Sequence, residues 1–124
     1  MLSFILLAGA CGGDNITVAA PASLNSLQHI VLIKLIDPSE TDALIDDCED
    51  LLGEIPVVTS LTVGRHAEFG REDVTGDYDV GLVVSFANEG DYGAYLADER
   101  HVRLAKNWRP RWDWYRIYDF QQRP

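Results

Sequence analysis

The segment Gln-His-Ile-Val-Leu-Ile-Lys-Leu-Ile at residues 28–36 decides the fold of this chain. It is rich in β-branched residues and nearly every position is apolar, which predicts a strand that is covered on both sides. Alternation divides its side chains between two faces: His29, Val31, Ile33 and Leu35 on one, and Ile30, Leu32, Lys34 and Ile36 on the other. We expect the chain's own helices to cover one face and a second sheet to cover the other.

The rest of the chain predicts the elements that pack around this strand. A capping box at Asp37, Pro38 and Glu40 begins an amphipathic helix that ends at Gly53. Strands follow at 57–65 and 78–86, then a broken helix at 88–108, and an aromatic strand at 112–120 closes the chain.

The resulting order, β-α-β-β-α-β, is the ferredoxin-like α+β pattern: a four-stranded antiparallel sheet with its helices on one face. The opposite face would be apolar and open. We therefore expect two copies to pair through their sheet faces, as a homodimeric α/β barrel.

Composition limits the classes of partner. The chain has 124 residues, a formal net charge of −10 and 47% hydrophobic residues, which fits one globular domain. The negative field disfavours nucleic acid, and we interpret the local basic bias of residues 100–116 as a solvated face or an internal charge match. The acidic run at 42–50 lacks the close Asp and Gly spacing of a hard-cation loop, so we interpret it as solvent-facing and predict no metal site. We also expect no cofactor.

The N-terminus predicts export. Residues 1–10 form an apolar run of signal-peptide length, and Ala8-Gly9-Ala10-Cys11 resembles a bacterial lipoprotein signal in which Cys11 is lipidated. Residues 11–26 would then be a flexible tether and 27–124 the domain, held at the membrane only by the lipid. The alternatives are an ordinary secretory signal or a buried N-terminal strand, and a segment that is not a signal would leave the protein in the cytoplasm.

Lipidation of Cys11 would leave Cys48 without a disulfide partner. Because Cys48 lies on the apolar stripe of the first predicted helix, we interpret it as a small buried hydrophobe rather than a nucleophile.

The broken helix carries the candidate chemistry. Behind Asp91, a predicted N-cap, Tyr92 and Tyr95 recur at helical spacing, and acids at 98–99 interrupt the stripe. His101 resumes it on the inward side. Tyr95 and His101 suit a general acid and base near neutral pH. The alternative is that both are core residues whose polar tips are satisfied.

Together these pieces resemble the stress-responsive α/β-barrel (Dabb) family over residues 28–120. The segments that carry the resemblance are 29–35, Ile55-Pro56, Val63-Gly64, 77–86, Tyr95 with His101, and Tyr118-Asp119-Phe120. The family implies a dimeric ferredoxin-like barrel. Many members have a His-Pro pair where this chain has Asp98-Glu99.

The resemblance also implies a site. In a plant polyketide cyclase of the family, two histidines match His29 and His101, the catalytic tyrosine matches Tyr95, and a further pocket tyrosine falls at Cys48. His29, Cys48, Tyr95 and His101 would then bind ligand. In a catalytic version His101 would act as general base on an acidic carbon, Tyr95 would polarise a carbonyl, and His29 would orient the substrate.

Three functions follow as expectations. The first is a stress-response or small-molecule-binding homodimer with a pocket for an apolar ligand between helices and sheet. The second is a cofactor-independent enzyme, a cyclase, lyase or monooxygenase, that uses Tyr95 and His101. The third is a purely structural dimer in which His29, Tyr95 and His101 form a satisfied buried network. Coenzyme-A and carrier thioesters are cytoplasmic, so an exported location favours the first.

Overall fold

The computed structural model describes residues 26–123. The predicted signal peptide, Cys11 and the tether up to residue 25 lie outside them. The described residues form, in order, β1 (Leu27–Leu35), α1 (Thr41–Asp47), β2 (Ser60–Arg65), β3 (Val80–Phe86), α2 (Glu89–Ala97), α3 (Glu99–Trp108) and β4 (Trp112–Gln121). The predicted ferredoxin-like α+β fold is confirmed.

The strands form one antiparallel sheet in the order β2-β3-β1-β4. The predicted alternation of β1 is confirmed, because His29, Val31, Ile33 and Leu35 are buried while the residues between them are only half-buried. His29 lies opposite Val84 of β3 and Asp119 of β4. Cross-strand partners share a face of the sheet, so Asp119 stands beside His29 on the helix side.

The helices cover that side of the sheet. Their buried residues Leu44, Tyr95, Leu104 and Trp108 join the inward side chains of β1 and β3 in one hydrophobic core. The indole Nε1 of Trp108 donates a 2.8 Å hydrogen bond to Oδ2 of Asp47, which fixes α3 against α1.

The helix ends differ from those expected. The first helix is a 3₁₀ turn (Pro38–Glu40), then α1, then a π turn (Cys48–Leu52). Asp37 caps it by accepting from Ser39 N at 3.0 Å, but the Glu40 carboxylate lies 3.5 Å from Arg111 instead of reaching back. The predicted capping box is therefore only half formed.

The later helix is broken at Asp98, which ends α2 and begins α3. The prediction of Asp91 as N-cap of α2 is wrong. Asn88 accepts from Asp91 N at 2.8 Å and so begins the helix one turn earlier, with Glu89 and Asp91 both in its first turn.

The other face of the sheet is apolar, and no element of residues 26–123 covers it. Ile30 lies opposite Val83 and Tyr118, and Tyr118 and Phe120 are 53% and 56% exposed. None of the helices in residues 26–123 has the length and apolar character needed to cross a membrane.

Candidate functional site

A cavity of about 50 Å³ lies between the helices and the sheet. Its walls come from β1, β3, β4, the π turn and the two later helices, and the lining includes His29, Tyr95 and His101. Three of the four residues predicted to bind ligand therefore line the same cavity. Cys48 is fully buried in the core and is not among the lining residues.

His29 is held by a carboxylate and a phenol. Its Nδ1 lies 2.7 Å from Oδ1 of Asp119 and 2.9 Å from the hydroxyl of Tyr92, and that hydroxyl donates to Oδ2 of Asp119 at 2.9 Å. The phenol proton is directed at the carboxylate, so Nδ1 of His29 faces only oxygens that can accept. The network therefore places a proton on Nδ1 of His29. Burial, with the hydrogen bond to Asp119 and the charge of that carboxylate, raises the pKa of Tyr92 to about 12.

Tyr95 follows one turn later on α2 and is 1% exposed. Its ring centroid lies 4.6 Å from that of His101 and 6.0 Å from that of His29. Within residues 26–123 its hydroxyl has no hydrogen-bond partner. Burial raises the pKa of Tyr95 far above its ordinary value, and nearby Cys48 and Tyr92 add to the rise. Tyr95 therefore remains a neutral phenol with a proton to donate.

His101 stands at the third residue of α3, where the break at Asp98 turns it inward. Its Nδ1 lies 3.2 Å from the carbonyl oxygen of Leu96. A carbonyl only accepts, so Nδ1 carries the proton and Nε2 is the basic nitrogen. Burial is the main cause that lowers the pKa of His101, with contributions from His29 and Arg109, while the Leu96 carbonyl and Asp98 act in the opposite direction.

Cys48 is unsuited to nucleophilic chemistry. Burial, reinforced by the negative charges of Asp47 and Glu49, raises the pKa of its thiol to about 12. A thiol that stays protonated at neutral pH is a packing residue.

The sequence did not identify Tyr92 and Asp119 as part of the site. Tyr92 was visible only as a member of the α2 stripe, and Asp119 only as part of the family segment at 118–120. The register of β1 against β4 joins Asp119 to His29, and α2 brings the Tyr92 hydroxyl to both of them. Among residues 26–123, no group of three or more His, Cys, Asp or Glu side chains is placed to hold a metal ion.

The arrangement offers a phenol that donates and an imidazole nitrogen that accepts, both against apolar walls. Such a pair can bind the polar end of an apolar ligand. With a carbon acid as ligand, the same pair can polarise a carbonyl through Tyr95 and accept a proton at His101.

Solved structures share this fold at low sequence identity. A dimeric ferredoxin-like protein of unknown function from Thermobifida fusca is 21% identical at a TM-score of 0.66, over 79% of this chain and 92% of its own. The hydroxynitrile lyase of Passiflora edulis is 16% identical at 0.68, over 78% and 93%. SnoaB, a cofactor-independent oxygenase from Streptomyces nogalater whose structure is that of a mutant, is 13% identical at 0.62, over 81% and 95%.

None of the proteins with a curated description matches the chain in sequence. The sequence profile of one family, the Stress Responsive A/B Barrel Domain or Dabb, matches residues 27–122. That match spans the whole sheet, the helices and the cavity described above. The chain belongs to the stress-responsive A/B barrel (Dabb) family.

Proposed function

We propose that this protein is a homodimeric small-molecule-binding domain whose ligand enters the cavity beside Tyr95 and His101. The observation that carries the proposal is the Tyr95 hydroxyl, which belongs to a residue only 1% exposed and has no hydrogen-bond partner among the described residues. A ligand with an acceptor atom would supply the missing bond.

The alternative of a purely structural dimer requires His29, Tyr95 and His101 to form one satisfied buried network. Within the described part of the chain, only His29 of these three has side-chain hydrogen-bond partners of this kind. His29 is satisfied by Asp119 and Tyr92. Tyr95 and His101 touch each other only through their rings, and the hydrogen bond of His101 goes to the backbone of Leu96. Tyr95 and His101 thus keep a donor and an acceptor that a ligand can use.

The dimer is part of the proposal. The open sheet face carries exposed Tyr118 and Phe120 beside half-buried Ile30, and its burial by an identical face would remove this apolar surface from water. The dimeric state of the Thermobifida fusca neighbour supports the same assembly.

The second candidate is a cofactor-independent enzyme. The observation that favours it is the fixed tautomer of His101, which leaves Nε2 basic beside a phenol that keeps its proton. Two neighbours of the same fold are a lyase and a cofactor-independent oxygenase, so the scaffold accommodates catalysis elsewhere.

Native mass spectrometry of the purified protein tests the binding proposal. We expect a dimer that carries a small-molecule mass, and we expect Tyr95→Phe and His101→Ala to lose that mass while remaining dimeric. Tyr118→Phe, a change on the open face away from the cavity, is the control. A ligand that stays bound to both cavity variants would place its site elsewhere, and a monomer would refute the sheet-face dimer.

We also propose, from the N-terminal sequence alone, that the protein is exported and anchored by lipid on Cys11. In a bacterial host the mature chain should begin at Cys11 and carry an acyl mass, and Cys11→Ser should abolish both. A mature protein that keeps residues 1–10 would refute export.

A further inference from the structure

The mouth of the cavity is basic, although the chain as a whole is strongly acidic. A surface groove of about 420 Å³ outside α3 shares His101, Ala105 and Arg109 with the inner cavity, and Lys106 also lines it. The formal net charge of the whole chain is −10. The cavity therefore opens beside positive charge in a chain that has twice as many acids as bases, 20 against 10.

Arg109 has no acidic partner among the residues that the structure describes. Within residues 26–123, six of the chain's ten Lys and Arg side chains lie within 4.0 Å of a carboxylate, and the four that do not are Arg103, Lys106, Arg109 and Arg123. Three of these four follow one another at three-residue spacing along α3 and its end. Arg109 is the one of the four that reaches the inner cavity.

An aromatic ring beside Arg109 orients its guanidinium without accepting hydrogen bonds from its N–H groups. Its guanidinium carbon lies 5.3 Å from the ring centroid of Tyr115, which is another residue of the cavity wall. A guanidinium over an aromatic face keeps its N–H edges free for a planar bidentate acceptor. Arg109 also lowers the pKa of His101, so the positive charge is felt at the candidate base.

We propose that the ligand is a small carboxylic acid whose carboxylate is bound by Arg109 at the cavity mouth, while the rest of the molecule points inward and offers an acceptor atom to the Tyr95 hydroxyl beside His101. This inference rests on the proposed binding function and adds the chemical class of the ligand. A carboxylate fits better than a phosphate, because the mouth offers one oriented guanidinium and one neighbouring lysine rather than a cradle of several cations. The inner cavity is small, about 50 Å³, so the part of the ligand beyond the carboxylate is compact.

Matched acids and amides test the class of ligand. Methoxyacetate against methoxyacetamide, and butanoate against butanamide, differ in charge but hardly in shape, and the first pair also carries an ether oxygen that can accept from Tyr95. We expect each acid to bind the full-length protein about ten-fold more tightly than its amide, a difference of about 1.4 kcal/mol. NMR titration gives the dissociation constants and, from the shifts of Tyr95 and His101, the location.

Arg109→Gln should reduce that preference to about two-fold or less, while Arg103→Gln should keep it. Arg103 is the matched control, because it lies on α3 about two turns before Arg109, has no carboxylate within 4.0 Å among residues 26–123, and lines neither the cavity nor the groove. Bound acid should also raise the pKa of His101 by offsetting Arg109. The Arg109→Gln and Arg103→Gln variants keep the other groups that act on this imidazole, namely His29 on β1, Asp98 before α3 and the Leu96 carbonyl on α2.

The possible results distinguish the carboxylate assignment from the proposed binding function on which it rests. Acid and amide that bind equally while both shift Tyr95 and His101 would overturn the carboxylate assignment and leave the binding proposal standing. The same holds if Arg109→Gln keeps the preference, because Arg109 would then serve only to stabilise the C-terminal end of α3. Compounds that leave Tyr95 and His101 unshifted would overturn both.

Discussion

Tyr92→Phe and Tyr95→Phe each remove one hydroxyl, from residues one turn apart on α2. Comparing the two variants distinguishes a hydroxyl that stabilises the fold from one that is available to a ligand. The Tyr92 hydroxyl lies 2.9 Å from Nδ1 of His29 and 2.9 Å from Oδ2 of Asp119, whereas the Tyr95 hydroxyl has no partner within residues 26–123. A hydrogen bond to a charged group contributes about 1.5–3 kcal/mol. Because Tyr92 is half-buried and the Asp119 side chain is 39% exposed, solvent weakens this one, and we expect Tyr92→Phe to lower the free energy of unfolding by about 1–2 kcal/mol.

Tyr95→Phe should change the free energy of unfolding by less than about 0.5 kcal/mol, because it removes a hydroxyl that bonds to nothing and keeps the ring contacts with Phe86 and His101. In a domain of this size each kcal/mol shifts the melting temperature by about 4–8 °C, so thermal unfolding resolves the two variants. All samples must share one protein concentration, since dimerisation contributes to stability.

The opposite ranking would refute this description of the site. If Tyr95→Phe were as destabilising as Tyr92→Phe, the Tyr95 hydroxyl would belong to a satisfied network, and the case for a ligand partner would fail. If Tyr92→Phe cost nothing, the link between His29, Tyr92 and Asp119 would not hold in solution.

Three further outcomes follow from the same geometry. NMR titration should give His101 a pKa below its ordinary value of 6.5. Because the unfolded chain then takes up this proton at a higher pH than the folded chain, the contribution of His101 makes the free energy of unfolding fall as the pH drops from about 6.5 toward the folded pKa. His101→Gln should remove this pH dependence. A thiol reagent at pH 8 should label Cys48 in a Cys11→Ser chain only as fast as the domain unfolds, and rapid labelling of the native state would contradict its burial and its raised pKa of about 12. Tyr118→Asp on the open sheet face should yield monomers in analytical ultracentrifugation, whereas an intact dimer would place the interface elsewhere.

The faces of β1 could be predicted from sequence because side chains in a strand alternate with a period of two. Once one side chain is assigned to a face, the faces of all the others follow. The helix ends could not. Asn88 and Asp91 are both good caps, and only the folded backbone shows that Asn88 accepts the hydrogen bond. The π turn at Cys48–Leu52 likewise departs from a 3.6-residue stripe that the sequence keeps.

The candidate site divides in the same way. The spacing of Tyr95 and His101 on one broken helix, with the family resemblance, was enough to place both at a cavity with His29. The partners of His29 were not predictable, because Asp119 is 90 residues away and reaches it only through the register of β1 and β4. Arg109 was part of a basic bias interpreted as a solvated face or an internal charge match, and sequence alone does not show which of several arginines lacks an acid.

One physical cause sets both protonation states in the cavity. Burial keeps Tyr95 protonated by raising its pKa, and it keeps His101 unprotonated by lowering its pKa, so the donor and the acceptor coexist at neutral pH. A binding site and an acid-base enzyme would therefore look alike in the free protein. They differ in what the ligand brings: a bound carbonyl with an acidic C–H within reach of Nε2 of His101 would be turned over, whereas a ligand without such a hydrogen would only be held. The chemistry of the bound molecule thus decides between the two functions.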